Sequence, residues 1–123
     1  MISILPLRDR ALLQKLNETE HTDCSHAYCL YDGGKVTAYL LYDMHEKEAF
    51  LAKLGGQWDD NIADGLCRAV FSSLLDLNVD SARFSPAIDR SLTRRLGFTK
   101  GESDTVESIR SILYHCQSCG CAK

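Results

Sequence analysis

His115-Cys116-Gln117-Ser118-Cys119-Gly120-Cys121 is the densest run of reactive side chains in the sequence. Three thiols spaced Cys-x-x-Cys-x-Cys beside a histidine offer four soft donors, the number a tetrahedral zinc ion takes. The same set suits copper(I) or a dithiol–disulfide cycle. Structural zinc sites usually draw their ligands from two separated knuckles, and a terminal segment loses entropy when ordered. A tail of ordinary thiols is the plainer reading. No metal site is assigned, and metal, disulfide and inert thiols at Cys116, Cys119 and Cys121 stay open. A second group is acidic: Asp59, Asp60 and Asp64 stand at the start of a helical pattern. There they complement the helix dipole by about 0.3–1 kcal/mol each.

Other candidates are scattered. Cys24, Cys29 and Cys67 fall on strand-like and helix-like segments and read as small, partly buried hydrophobes in a reducing compartment. His21, His26 and His45 lie in turn regions and read as surface residues. Trp58, just before the long helix, reads as a core plug, and Tyr39 and Tyr42 as sheet packing.

The chain has 123 residues, 45% hydrophobic and 25% charged, with a net charge of −3. That length suits one domain with a real core. The charge balance gives no basic field for nucleic acid or an anionic membrane, so neither is an expected partner. No window approaches the roughly 18 apolar residues of a membrane span. The N-terminus lacks the basic and apolar regions of a signal peptide, and a cytoplasmic protein is expected.

The chemistry-bearing residues must be positioned by local structure. Ile2 to Leu7 reads as a strand, and Asp9 can cap a helix over Arg10 to Asn17. Ala27 to Tyr31 and Val36 to Tyr42 flank Asp32-Gly33-Gly34-Lys35, a hairpin signature. Glu48 to Leu54 alternates as a third strand of this meander, closing on Gly55-Gly56. Ile62, Leu66, Val70 and Leu74 then recur every four residues, with Cys67, Phe71 and Leu77 widening the stripe. The stripe predicts a helix from Asp59 to about Leu77, packed on a sheet, with Asn78 as its stop. Ser81 to Ser85 reads as a strand, Ala87 to Leu96 as a helix ended by Gly97, and Thr99 to Ser103 with Thr105 to Leu113 as a last antiparallel pair. The expected fold is α/β in the order β-α-β-β-β-α-β-α-β-β. A mixed, mostly antiparallel sheet carries helices on both faces. The domain spans residues 1–113, and residues 114–123 form the cysteine-rich tail.

This order, with Asp89-Arg90-Ser91-Leu92-Thr93-Arg94-Arg95-Leu96-Gly97-Phe98 as the best local match, resembles the GNAT N-acetyltransferase superfamily. In that family a late helix ends in a Leu-Gly-Phe step. Gly97 suits a left-handed cap there, and Phe98 can fold back on the core. The resemblance covers roughly Met1 to Leu113.

It implies acetyl-CoA as cofactor and a small-molecule or peptide amine as acceptor, with a homodimer as a further candidate assembly. The strand before the long helix splays from its neighbour, and its exposed backbone near Lys53, Leu54 and Gly55 would hold the pantetheine arm. The diphosphate would meet the long helix N-terminus at Asn61, Ile62, Ala63 and Asp64, where unpaired N–H groups and the dipole favour an anion. The family loop Gln/Arg-x-x-Gly-x-Gly/Ala maps here onto Trp58, Asn61 and Ala63, so only the last small residue matches. A carboxylate about 5 Å from a phosphate charge costs on the order of 3 kcal/mol at an effective dielectric near 20. Glu48 is the expected general base, with Glu46 behind it. Thr93 stands where many relatives carry an acidic tyrosine. An acetyl-CoA-dependent N-acetyltransferase is the leading expectation. The alternative is a catalytically silent binding domain on the same fold.

Overall fold

Two glycines set the first hairpin. His26–Asp32 (β2) and Lys35–His45 (β3) are joined by Gly33 and Gly34, at φ +62° and +87°. Positive φ at both central residues gives a turn whose twist matches that of the strands. The computed structural model describes residues 2–114. The remaining elements are Ile2–Pro6 (β1), Arg10–Glu20 (α1), Glu48–Gly56 (β4), Asp60–Asp76 (α2), Ser81–Phe84 (β5), Arg90–Arg95 (α3) and Thr105–Val106 (β6). Residues 109–114 are helical.

The strands form one six-stranded sheet in sequence order. Every neighbouring pair is antiparallel except β4 with β5, which are joined through α2 and run parallel. The two faces are unequal. On one, the apolar stripe of α2 buries Leu66, Val70, Phe71 and Leu74 against Leu40, Leu51 and Phe84. Phe71 meets Phe98 edge-on at 5.2 Å and Phe84 at 6.4 Å, so the Leu-Gly-Phe step is pinned into this core. Gly97 has φ +86°, the left-handed cap expected of it. Gly65 lets α2 approach β1, since a Cβ there would stand 2.9 Å from the Ile4 side chain. On the opposite face, Leu13 and Leu16 of α1 cover a smaller cluster around Cys29, Tyr39 and Leu41. Helices on both faces of a mixed sheet are thus present as expected.

Several boundaries differ from expectation. Helix α1 runs on to Glu20, because the polar stretch after Asn17 continues the helix until His21 adopts φ +58°. Strands β3 and β4 extend to a two-residue turn at Glu46 and Lys47. The helix expected over Ala87 to Leu96 is shortened to α3, because Ser85 to Ile88 forms a turn before Asp89 caps Ser91. The expected last strand pair is replaced. Residues 99–104 form turns, only Thr105 and Val106 join the sheet, and the chain becomes helical at Ile109. Asp80 is the cause: its carbonyl accepts from the Ile109 N–H and its carboxylate from the Arg110 N–H, both at 2.8 Å. That capping starts a helical turn where β-branched residues alone suggested a strand.

Candidate functional site

The parallel pairing of β4 and β5 runs only from Glu48↔Ser81 to Leu51↔Phe84. One more bond follows, from the Ser85 N–H to the Leu51 carbonyl at 2.8 Å. Beyond it β5 turns away, with the Ala87 N–H on Ser85 Oγ and the Ile88 N–H on the Ser85 carbonyl. Lys53 to Gly56 therefore keep β3 on one side, and Ala52 to Gly56 have no partner strand on the other. At about 3.3 Å per residue, this leaves roughly 17 Å of strand edge open. A bulge begins the open stretch: Tyr42 pairs with Leu51 and Leu41 with Lys53, leaving Ala52 unpaired. Such bulges bend a strand and often adjoin functional sites.

Glycine is required where the open stretch ends. A Cβ on Gly55 would lie 2.3 Å from the Tyr39 ring. Gly56 has φ +80°, and a Cβ there would meet the Thr37 carbonyl at 2.4 Å. The Tyr39 ring thus occupies the space beside Gly55, and its hydroxyl donates to the carboxylate of Glu20 at the end of α1. Burial, then the bond and charge of Glu20, raise the Tyr39 pKa well above the usual phenol range, so it stays a donor.

Beside the parting, on the α1 face, is a cavity of about 410 Å3 lined by Glu20, Asp23, Cys24, Asp43, Lys53 and Ser85 among others. The loop that walls it is fixed by Asn17. Its amide donates to the Cys24 carbonyl at 2.9 Å and accepts from the Cys24 N–H at 2.9 Å and the Thr22 hydroxyl at 2.7 Å. Asp43 accepts from the Ser25 N–H at 2.9 Å. Burial, helped by the charges of Asp43 and Asp23, pushes the Cys24 thiol up to about 11, so it is neutral at pH 7. Three carboxylates, from Glu20, Asp23 and Asp43, line the cavity together with Lys53 and His21.

The start of α2 is arranged differently. Asp59 is its N-cap, accepting the Ile62 N–H on its side chain and the Ala63 N–H on its carbonyl, both at 2.9 Å. Asp60 is gripped by Arg95 through two bonds of 2.7 and 3.0 Å, a fork that ties the end of α3 to this terminus. The bond to Arg95 holds the Asp60 carboxyl below the usual range.

The expected site residues divide accordingly. Lys53, Leu54 and Gly55 lie on the open edge, with the Leu54 side chain buried in the α2-face core, so only its backbone faces the parting. Asn61, Ile62, Ala63 and Asp64 form the first turns of α2, but Ala63 is fully buried, Ile62 packs on the core and Asp64 pairs with Arg68 at 3.0 Å. Glu48 is not brought to the parting. It sits at the closed end of β4, 3.7 Å from Arg83 and four residues, about 13 Å, from Ala52. Glu46 occupies the turn before it, at φ +55°. Thr93 is buried, its hydroxyl held by Thr99 at 2.8 Å and the Arg90 carbonyl at 3.0 Å. Trp58 is 39% exposed rather than a core plug, because Asp59 turns the chain into α2 before the indole reaches the interior. Cys24, Cys29 and Cys67 are buried free thiols. The His115 to Cys121 cluster lies outside the described residues. Glu20, Tyr39, Asp23 and Asp43 were not singled out as site residues by the sequence. The hairpin register does place Tyr39 opposite Gly55, but nothing local signals Glu20.

No family model matches the sequence, and no curated protein matches it. Solved structures do. The ribosomal-protein-S18-alanine N-acetyltransferase from Escherichia coli superposes with a TM-score of 0.61 at 17% identity, covering 82% of this chain and 79% of that one. A GNAT family acetyltransferase from Brucella melitensis, in complex with acetyl-CoA, gives 0.60 at 11% identity over 86% and 95%. The putative N-acetyltransferase YhhK from Escherichia coli, bound to coenzyme A, gives 0.52 at 14% identity over 85% and 96%. At these identities the likeness is one of fold. No helix among the described residues is long and apolar enough to cross a membrane.

Proposed function

We propose, on the premise that this chain has the GNAT acetyltransferase fold, that it transfers an acetyl group from acetyl-CoA to a primary amine. The observation that carries this reading is the parting of β4 from β5 beyond Leu51. The free N–H and C=O groups of Ala52 to Gly56 are a template for an amide-bearing chain, and the pantetheine arm is such a chain. Its two amides can pair with the backbone at Lys53 to Gly55 without help from any side chain.

The acceptor belongs in the carboxylate-lined cavity beside the parting. Glu20, Asp23 and Asp43 draw an ammonium group there, and Glu20, oriented by the Tyr39 hydroxyl, is the base that takes its proton. Glu48, expected in that role, is held too far away. Thr93 offers no acid to a leaving thiolate, so that proton comes from water. The buried free thiols suit a reducing compartment, and we place the protein in the cytoplasm.

One observation favours a second reading, a silent binding domain: the α2 N-terminus already carries its own carboxylates. A thiol-release assay separates the two. With acetyl-CoA and a panel of polyamines and peptides with free N-termini, the enzyme reading predicts amine-dependent release of CoA, reduced at least tenfold by Glu20→Gln. Binding without release on any amine supports the second reading.

A further inference from the structure

The geometry points to a donor held by its pantetheine arm and not by its diphosphate, because Asp59 and Asp60 close the α2 N-terminus from within. This inference rests on the acyltransferase reading and specifies what part of the donor that site recognises. An anion binds a helix N-terminus through N–H groups left without partners and through the positive end of the dipole. Here the Asp59 carboxylate takes the Ile62 N–H, one of the first-turn donors that an anion would otherwise use. The dipole is complemented by the carboxylates of Asp59 and Asp60.

The nearby cations are engaged as well. Arg95 spends its fork on Asp60, and Arg68 is paired with Asp64 while lying 5.6 Å from the centre of the Phe98 ring. Swinging Arg95 onto a phosphate would not improve the balance, since it would leave Asp60 unpaired beside the same phosphate. Asp59 and Asp60 both stand at this terminus, and Arg95 is bonded to Asp60 alone of the two. The residues at the open edge of β4 therefore fit the arm, and those at the α2 terminus do not fit the diphosphate. Asp59 and Asp60 act as specificity determinants. They remove the advantage of a nucleotide-bearing donor over a shorter pantetheine thioester.

Calorimetry, with NMR shift titration for weak ligands, tests this with CoA, pantetheine and adenosine 3′,5′-diphosphate as probes. The wild-type chain is compared with Asp59→Asn, Asp60→Asn and the double variant. Asparagine also caps helices well, and melting curves report that the variants are folded. The wild type should bind CoA and pantetheine within about threefold of each other and ignore the adenosine diphosphate. The double variant should gain on the order of a hundredfold for CoA, the scale of one relieved carboxylate–phosphate contact, with pantetheine unchanged. Wild-type CoA binding more than about thirtyfold tighter than pantetheine, or a ratio unmoved in the double variant, overturns the inference while leaving the acyltransferase reading intact. No binding of CoA or pantetheine by any of the four proteins overturns both.

Discussion

From Glu48 to Leu51, β4 has a strand on each side; after the bulge at Ala52, from Lys53 to Gly56, it has one. The first half is framework. Its side chains enter the cores of both faces, its backbone pairs with β3 and β5, and its one acid is a half-exposed partner of Arg83. The second half keeps the same backbone donors and acceptors but leaves those on one side unused, with a bulge at the junction and two glycines at the end. One strand thus loses its β5 neighbour within a single residue. The change is made by the neighbour: β5 ends at Phe84, and Ser85 to Ile88 turns away. The two faces differ in a related way. The α2 face buries three packed phenylalanines, while the α1 face is thinner and holds the cavity.

The contrast can be broken at several points. Leu51→Ala, in the closed half, should cost about 2–5 kcal/mol in urea unfolding, as for a fully buried leucine with little room to collapse. A loss under 1 kcal/mol would mean the closed half is not framework. In the open half, Gly55→Ala should cost about 1–3 kcal/mol by driving a methyl into the Tyr39 ring. Most of that loss should return when Gly55→Ala is combined with Tyr39→Leu. If it does not, strand geometry rather than the tyrosine demands the glycine. Thr93→Val should cost about 1–2 kcal/mol, because it strips the buried Thr99 hydroxyl of its partner. CoA release per folded molecule should not change.

The thinner face can be probed by pH. Burial raises the Cys29 thiol from 9.0 to about 11. The unfolded chain therefore loses this proton first. The stabilisation is complete below pH 9 and declines between about 9 and 11, at up to about 1.4 kcal/mol per pH unit. Unfolding measured across this window should slope downward, less steeply in Cys29→Ala. An identical slope in the variant would mean that water reaches Cys29 in the folded protein. The smallest effect belongs to Glu48→Gln. The Arg83 pair is half exposed, so stability should move by no more than about 0.5 kcal/mol, with activity unchanged.

What the sequence disclosed was local. Gly33-Gly34, the four-residue stripe of α2, the left-handed stop at Asn78 and the Gly97-Phe98 step each depend on a few neighbouring residues, and each is present. The acids at the start of α2 were legible as dipole partners for the same reason. The Arg95 fork on Asp60 was not, since it joins residues 35 positions apart. Nor was the reach of the open edge, which depends on where β5 stops, or the Tyr39–Glu20 contact between a strand and a helix end. Glu48 was expected as the base because it lies on the strand before α2. The strand is paired at one end and open at the other, and four residues of extended chain separate Glu48 from Ala52.

Under the acyltransferase reading the donor lies along the free edge of β4. Backbone amide shifts of the 15N-labelled chain, titrated with acetyl-CoA, test it directly. The largest changes should fall on Ala52 to Gly56, while Glu48 to Leu51 stay nearly still. Saturable shifts centred elsewhere, or none at millimolar acetyl-CoA, would mean that the donor does not lie on this edge.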